Sequence, residues 1–95
     1  LLYMKDMYNE AIKASNGKKV IITETGWPSK GSDLWGAHPS YTNYLKYFIN
    51  AQLWSKDQGI DMFYFSSFDE SWKVEAEGDV GAYWGLWDKD EVIKF

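Results

Sequence analysis

Val20-Ile21-Ile22-Thr23-Glu24 (VIITE) runs straight into Thr25-Gly26-Trp27-Pro28-Ser29-Lys30-Gly31 (TGWPSKG), and this boundary decides the fold. Val20 to Thr23 is a β-branched run with no polar alternation. Such a run predicts a strand apolar on both faces, the mark of a parallel sheet buried under helices. Glu24 is its last residue. Gly26, Pro28, Ser29, Gly31, Ser32 and Asp33 make residues 25–39 a long loop.

Upstream, Leu1, Met4, Tyr8, Ala11 and Ile12 recur at helical spacing and predict a helix over about residues 1–15, stopped by Asn16-Gly17. Downstream, Ser40 is a good N-cap, and Tyr41, Tyr44, Leu45, Phe48 and Ala51 give a helical face to about residue 57, before Gln58-Gly59. Ile60 to Ser66 (IDMFYFS) predicts a second strand, again apolar on both faces. A Gly- and acid-rich loop is expected over about residues 67–82. Tyr83–Trp87 and Glu91–Phe95 then read as two short extended segments joined by a turn at Asp88-Lys89-Asp90. The order is a βαβ unit with an extra helix in front, expected to pack as parallel strands with a right-handed crossover. There is no internal repeat, low-complexity tract or linker. Two strands cannot close a sheet, so residues 1–95 are expected to form a single partial domain of a larger α/β protein. The chain also opens at Leu1 inside a helical pattern, so an N-terminus further upstream is expected.

Composition narrows the function classes. The 95 residues hold one core at most, and 45% hydrophobic content argues against disorder. No apolar run is long enough to span a membrane, and no signal-peptide pattern is visible over residues 1–30. The net charge of −4, from 10 basic residues against 14 acidic ones, lacks the basic stripe of a nucleic-acid binder. Without cysteine there is no disulfide scaffold, thiolate metal site or cysteine nucleophile. Neither a cofactor nor a metal is expected. The unusual feature is 19% aromatic content with six Trp, more rings than so small a core hides. Several are therefore expected to face a ligand, a partner or further protein.

The chemistry is expected at the strand ends. In parallel α/β folds, ligands bind at the carboxyl ends of strands. Glu24 closes the first strand, and Asp69 and Glu70 lie just past the second, so all three are expected on one rim. Trp27 and Trp35 sit in the first loop, and Trp72 follows Glu70 by two residues. Sugar rings present apolar C–H faces, and carboxylates accept hydrogen bonds from hydroxyls, so Trp beside acids suits saccharides. Acids at strand ends are also often only solvated or capping, and Trp54 and Trp87 are read as packing residues. Trp84 is left open between the two roles. The Asp88–Glu91 run lacks the spacing and glycine of a calcium loop and reads as a solvated turn. Gly78, Gly81 and Gly85 lack dinucleotide-loop spacing, and His38 reads as an ordinary loop residue.

VIITETGWPSKG (Val20–Gly31), AHPSYTNYLKYF (Ala37–Phe48), YFSSFDESWK (Tyr64–Lys73) and GAYWGLWD (Gly81–Asp88) together resemble glycoside hydrolase family 17, the β-1,3-glucanases and glucan transglycosylases. The blocks cover most of the chain in the family's order and spacing, closer to its microbial than its plant branch. The resemblance implies the C-terminal quarter of a (β/α)8 TIM barrel: helix 6, strand 7, helix 7, strand 8 and the closing tail. It implies Glu24 as the catalytic nucleophile, with Glu70 and Lys73 holding substrate and shaping the field around it. Trp27 and Trp72 would line glucan subsites. The general acid/base glutamate of the family belongs to strand 4 and is absent from these residues. One departure stands at Gly81, where some members carry a glutamate; Glu77 or Glu75 could fill that space.

The implied chemistry is self-consistent. A retaining glycosidase needs two carboxyl groups about 5–5.5 Å apart, one to attack and one to protonate the leaving oxygen. An ordinary glutamate is the anion an attacking group must be near neutral pH, and a lysine such as Lys73 nearby would favour that state. The leading reading is a retaining hydrolase or transglycosylase of β-1,3-glucan, partnered by glucan and by the rest of the barrel or a complementary chain. The alternative is a non-catalytic glucan-binding protein using the same Trp/acid rim. Family habit places the protein outside the cytoplasm: extracellular, periplasmic or cell-wall associated.

Overall fold

A computed structural model describes residues 1–95. Helix α1 (Leu2–Ala14) leads to strand β1 (Ile22–Thr25), helix α2 (Tyr41–Gln58) and strand β2 (Met62–Tyr64). A short helix α3 (Val74–Glu77) follows, flanked by 3-10 turns at Ser71–Lys73 and Asp79–Ala82. The two strands pair in parallel, Ile22 opposite Met62 and Thr25 opposite Tyr64, with an irregular register between. Parallel pairing with α2 as the connection is the expected βαβ unit, and the chain is α/β as its order of elements predicts.

Helix α2 is the scaffold. Ser40 caps it in extended backbone, its hydroxyl accepting the Asn43 amide at 3.0 Å, and Gly59 ends it in the left-handed region at φ 65°. Both ends fall where the sequence puts them. Its inner face carries buried Tyr44, Ala51 and Ser55, at spacings of seven and four residues that return to one side of a helix. Tyr41, expected on that face, is exposed and instead donates its hydroxyl to the Lys94 carbonyl at 3.0 Å. The helix holds each neighbour through a ring. The Tyr47 hydroxyl bonds Thr25 of β1, Phe48 meets Tyr64 of β2 edge-on at 4.9 Å, and Trp54 meets Tyr8 of α1 edge-on at 5.5 Å. Trp54 is thus a packing residue, as expected. So is Trp87, whose ring meets Phe68 at a tilt, centroids 5.7 Å apart.

The core is thin. Only ten residues are buried, and Tyr44 is the only large side chain fully enclosed. Phe63 of β2 is 65% exposed and Ile21 is also exposed, so the strands have uncovered apolar faces within these residues. Helix α1 buries nothing: Met4 and Tyr8 lean inward, while Ala11 and Ile12, expected on its packed face, stay exposed. No helix is long and apolar enough to cross a membrane.

The region read as one loop over residues 67–82 contains α3 and its flanking 3-10 turns. Each is three or four residues long, too short for a periodicity to show. After it, residues 84–87 run beside 66–69, with Ser66 N–H to Trp84 O at 3.0 Å and Asp69 N–H to Trp87 O at 2.9 Å. Gly85 makes this possible, because a Cβ there would lie 2.2 Å from the Asp69 nitrogen. Trp87 bridges Ile93 antiparallel, so the two expected extended segments exist as single bridges, not full strands. The Asp88 carboxylate closes the turn between them by accepting the amides of Asp90 and Val92 at 2.8 and 3.0 Å. These bonds hold its carboxyl below the ordinary carboxylate range.

Candidate active site

Glu24 lies within β1, one residue before its end, and its side chain is exposed with no ion-pair partner. Side chains alternate along a strand, so Thr25 points the opposite way, is buried and bonds Tyr47 on α2. Glu24 opens into a groove of about 340 Å³ lined by Tyr3, Met4, Met7, Phe65 and Trp84, with Tyr47 of α2 at its border. Gly26 lets the loop leave β1 beneath Phe65, since a Cβ there would sit 2.0 Å from the Phe65 carbonyl oxygen. Trp84, left open on sequence grounds, meets Phe65 edge-on at 5.7 Å and forms the groove's wall.

The acids expected on one rim divide into two environments. Glu70 pairs with Lys73 at 2.9 Å. The Lys73 ammonium lies 4.5 Å from the centre of the Phe65 ring and 5.5 Å from that of Trp72, so three groups enclose one cation. Its ion-pair partner is Glu70, not Glu24, and the Phe65 ring it lies over also lines the Glu24 groove. Trp72 stands 72% exposed at the outer edge. Asp69 turns inward instead. Its carboxylate accepts Lys94 Nζ at 2.7 Å and the Gly85 amide at 2.9 Å, with the side chains of Lys94 and Asp69 only 12% and 9% exposed. Lys94 also donates to Ser29 Oγ at 3.0 Å and lies over the Tyr44 ring at 5.3 Å. Asp69 is therefore a packing acid that ties the C-terminal tail to both loops.

Trp27 is half-buried, stacked on Tyr47 at 5.5 Å, and donates its indole N–H to the His38 carbonyl at 3.1 Å. It borders a second groove, of about 730 Å³, which shares Tyr3, Gly26 and Trp84 with the Glu24 groove. His38 is more than an ordinary loop residue. Its carbonyl takes both Trp27 and Asn43 Nδ2, and its ring pairs with Asp33.

The loops after β1 and β2 are stitched together by Asp79, which accepts the Ser32 amide at 3.0 Å and the Ser32 hydroxyl at 2.6 Å. The hydroxyl first and then the amide pull its carboxyl below the ordinary range. At Gly81, a Cβ would lie 2.7 Å from the Glu77 Cβ and 2.9 Å from one of its carboxylate oxygens. Glu77 thus occupies the space a longer residue at 81 would need. Sequence reasoning missed Phe65, Lys94 and the α1 face of Tyr3, Met4 and Met7. Phe65 sat in an apolar run that gave no side, and Lys94 carries no local signal at all.

The BtgE/BtgC glycoside hydrolase domain matches residues 2–85. A "Glucan 1,3-beta-glucosidase" of Arthroderma benhamiae is 38% identical over 93 residues, covering 90% of this chain and 30% of that relative. One from Candida albicans is 30% identical over 88 residues, covering 90% of this chain and 29% of its own length. The crystal structure of a glycoside hydrolase family 17 β-1,3-glucanosyltransferase from Rhizomucor miehei superposes with a TM-score of 0.89 at 36% identity, over 97% of this chain and 33% of that one. An active-site mutant of the same enzyme in complex with laminaritriose superposes at 0.88 and 35% identity, with the same coverage of both chains. The chain spans about a third or less of these proteins.

Proposed function

The chain belongs to the BtgE/BtgC glycoside hydrolases of family 17, and from that membership we propose that it carries the nucleophile side of a retaining enzyme acting on β-1,3-glucan. Glu24 is the attacking residue in this reading. Its carboxylate oxygen bonds to the anomeric carbon as the C1–O bond to the departing glucan breaks. The leaving oxygen takes a proton from an acid/base glutamate outside these 95 residues. Water, or a hydroxyl of a second glucan, then attacks the glucosyl ester and returns a proton to that acid/base, giving hydrolysis or transglycosylation. Trp27 and Trp72 supply stacking faces, and the Glu70–Lys73 pair positions substrate hydroxyls. Residues 1–95 form a partial domain: β1 and β2 are adjacent strands of a (β/α)8 barrel, strands 7 and 8, and the uncovered strand faces meet the rest of the barrel or a complementary chain. A polymeric glucan substrate places the protein outside the cytoplasm, in the cell wall or its surroundings.

The observation that carries this reading is the unpaired Glu24 carboxylate at the carboxyl end of β1, facing a groove walled by Phe65 and Trp84. The test is Glu24→Ala with an activated β-glucoside and external azide in the complete barrel. A nucleophile mutant gives the α-glucosyl azide; a β product reassigns Glu24 to the acid/base role. Residues 1–95 alone are expected to be inactive on laminarin, with turnover no higher than in a Glu24→Gln control. An unmutated complete chain that binds laminarin without turning it over belongs to the binding-only alternative.

A further inference from the structure

Trp35 is 97% exposed and its ring meets no other ring or cation, whereas the other five tryptophans each meet one. It does not dangle. Leu34 and Ala37 exchange both backbone hydrogen bonds, at 3.0 and 2.9 Å, around Trp35 and Gly36, whose φ angles are 47° and 82°. Two central residues with positive φ make a mirror-image tight turn, where Asn-Gly is the favoured pair. A bulky aromatic at such a position is disfavoured locally, and its exposed ring returns nothing through burial. The base of the turn is held firmly by the Asp33–His38 pair and by the two donors on the His38 carbonyl. Backbone strain and an exposed indole on a rigid stem together suit a presented contact surface.

The ring borders the larger groove along with Trp27, Pro28 and Trp84, and that groove joins the Glu24 groove through Tyr3, Gly26 and Trp84. We infer that Trp35 forms an outer saccharide subsite, stacking on a glucosyl unit of a long β-1,3-glucan chain remote from the bond being broken. The occupant is a sugar because the indole offers an apolar face, while the groove leading from it ends at an unpaired carboxylate. This inference rests on the proposed glucan reading and deepens it by making chain length the property that Trp35 senses.

The test compares Trp35→Asn and Trp35→Phe in the complete glucan-active chain. Asn suits the turn better than Trp, so a purely structural residue would leave Trp35→Asn at least as stable and its glucan behaviour unchanged. The subsite predicts roughly tenfold weaker retardation by laminarin in affinity electrophoresis, the size of one lost aromatic stack. It also predicts a KM rise about tenfold larger for laminarihexaose than for laminaritriose, with Trp35→Phe restoring most of both. Equal effects on both oligosaccharides, or no change in laminarin retardation, overturn the subsite. So does a loss of self-association or of melting temperature in Trp35→Asn without a loss of glucan binding. Failure of the glucan reading itself is read separately, from turnover that survives Glu24→Gln, and the electrophoresis reports on Trp35 either way.

Discussion

Lys73 holds its ammonium 2.9 Å from the Glu70 carboxylate and 4.5 Å from the centre of the Phe65 ring. Phe65 also walls the groove that holds Glu24. The cation therefore stands behind that groove, neutralising one carboxylate at short range while Glu24 remains unpaired. An acid free of a permanent partner is available to attack; one bonded to an ammonium is better suited to hold hydroxyls.

Under the proposed function, Lys73→Met in the complete barrel is expected to lower kcat/KM on β-1,3-glucan by about tenfold, the scale of one charged hydrogen bond that positions substrate hydroxyls. Lys73→Arg should recover part of it. Steady-state kinetics of the two variants checks this, and equal activity of Lys73→Met and the parent sinks it.

Asp69 and Lys94 form the most enclosed ion pair in the chain. Removing one partner leaves the other charge without compensation, so Lys94→Met is expected to cost about 3–5 kcal/mol of stability. Urea unfolding measures the loss. Replacing both as Asp69→Leu/Lys94→Met should recover much of it, because no lone charge is left.

Tyr44 is fully buried and its hydroxyl has no partner. Burial first, then Tyr41 and Asp69, push its pKa from 10.0 up to about 12. The folded chain thus favours the neutral phenol. Stability is full below pH 10 and is lost as pH rises towards 12, because the unfolded chain ionises first. Tyr44→Phe should weaken that alkaline loss, with neutral-pH stability unchanged or raised, as read by melting at stepped pH. A parent and variant with identical alkaline profiles would refute it.

Asp79 behaves in the opposite sense. Its carboxyl is lowered from 3.8 by Ser32, so its contribution is present above pH 3.8 and lost as pH falls through the lower folded value. The Ser32 amide should accordingly lose protection, relative to its intrinsic exchange rate, below that pH, and at all pH values in Asp79→Ala. Hydrogen exchange at Ser32 reports this directly; unchanged protection in Asp79→Ala would contradict it.

Much of this was legible in order and spacing. The unalternating runs at Val20–Thr23 and Ile60–Ser66 announce two parallel strands, although the paired residues are Ile22–Thr25 and Met62–Tyr64, and the helix limits at Ser40 and Gly59 follow from cap chemistry. Glu24 was legible as a strand-end acid. The division of Asp69 from Glu70 was not, since adjacent residues share every local property and differ only in the direction the backbone gives them.

The sequence by itself determined the α/β class, the βαβ order, the cap positions and the strand-end placement of Glu24, because these depend on periodicity, backbone preference and turn chemistry within a few residues. Only the tertiary structure decided that Asp69 is bound by Lys94, that Lys73 answers Glu70 and not Glu24, and that Gly81 yields its space to Glu77. It also decided that the loop carrying Trp27 and Trp35 is held to the next loop by Ser32 and Asp79. Ion pairs 25 residues apart, such as Asp69 with Lys94, and loop contacts 47 apart, such as Ser32 with Asp79, depend on how the chain returns on itself. No local pattern encodes that return; packing around Tyr44 and α2 does.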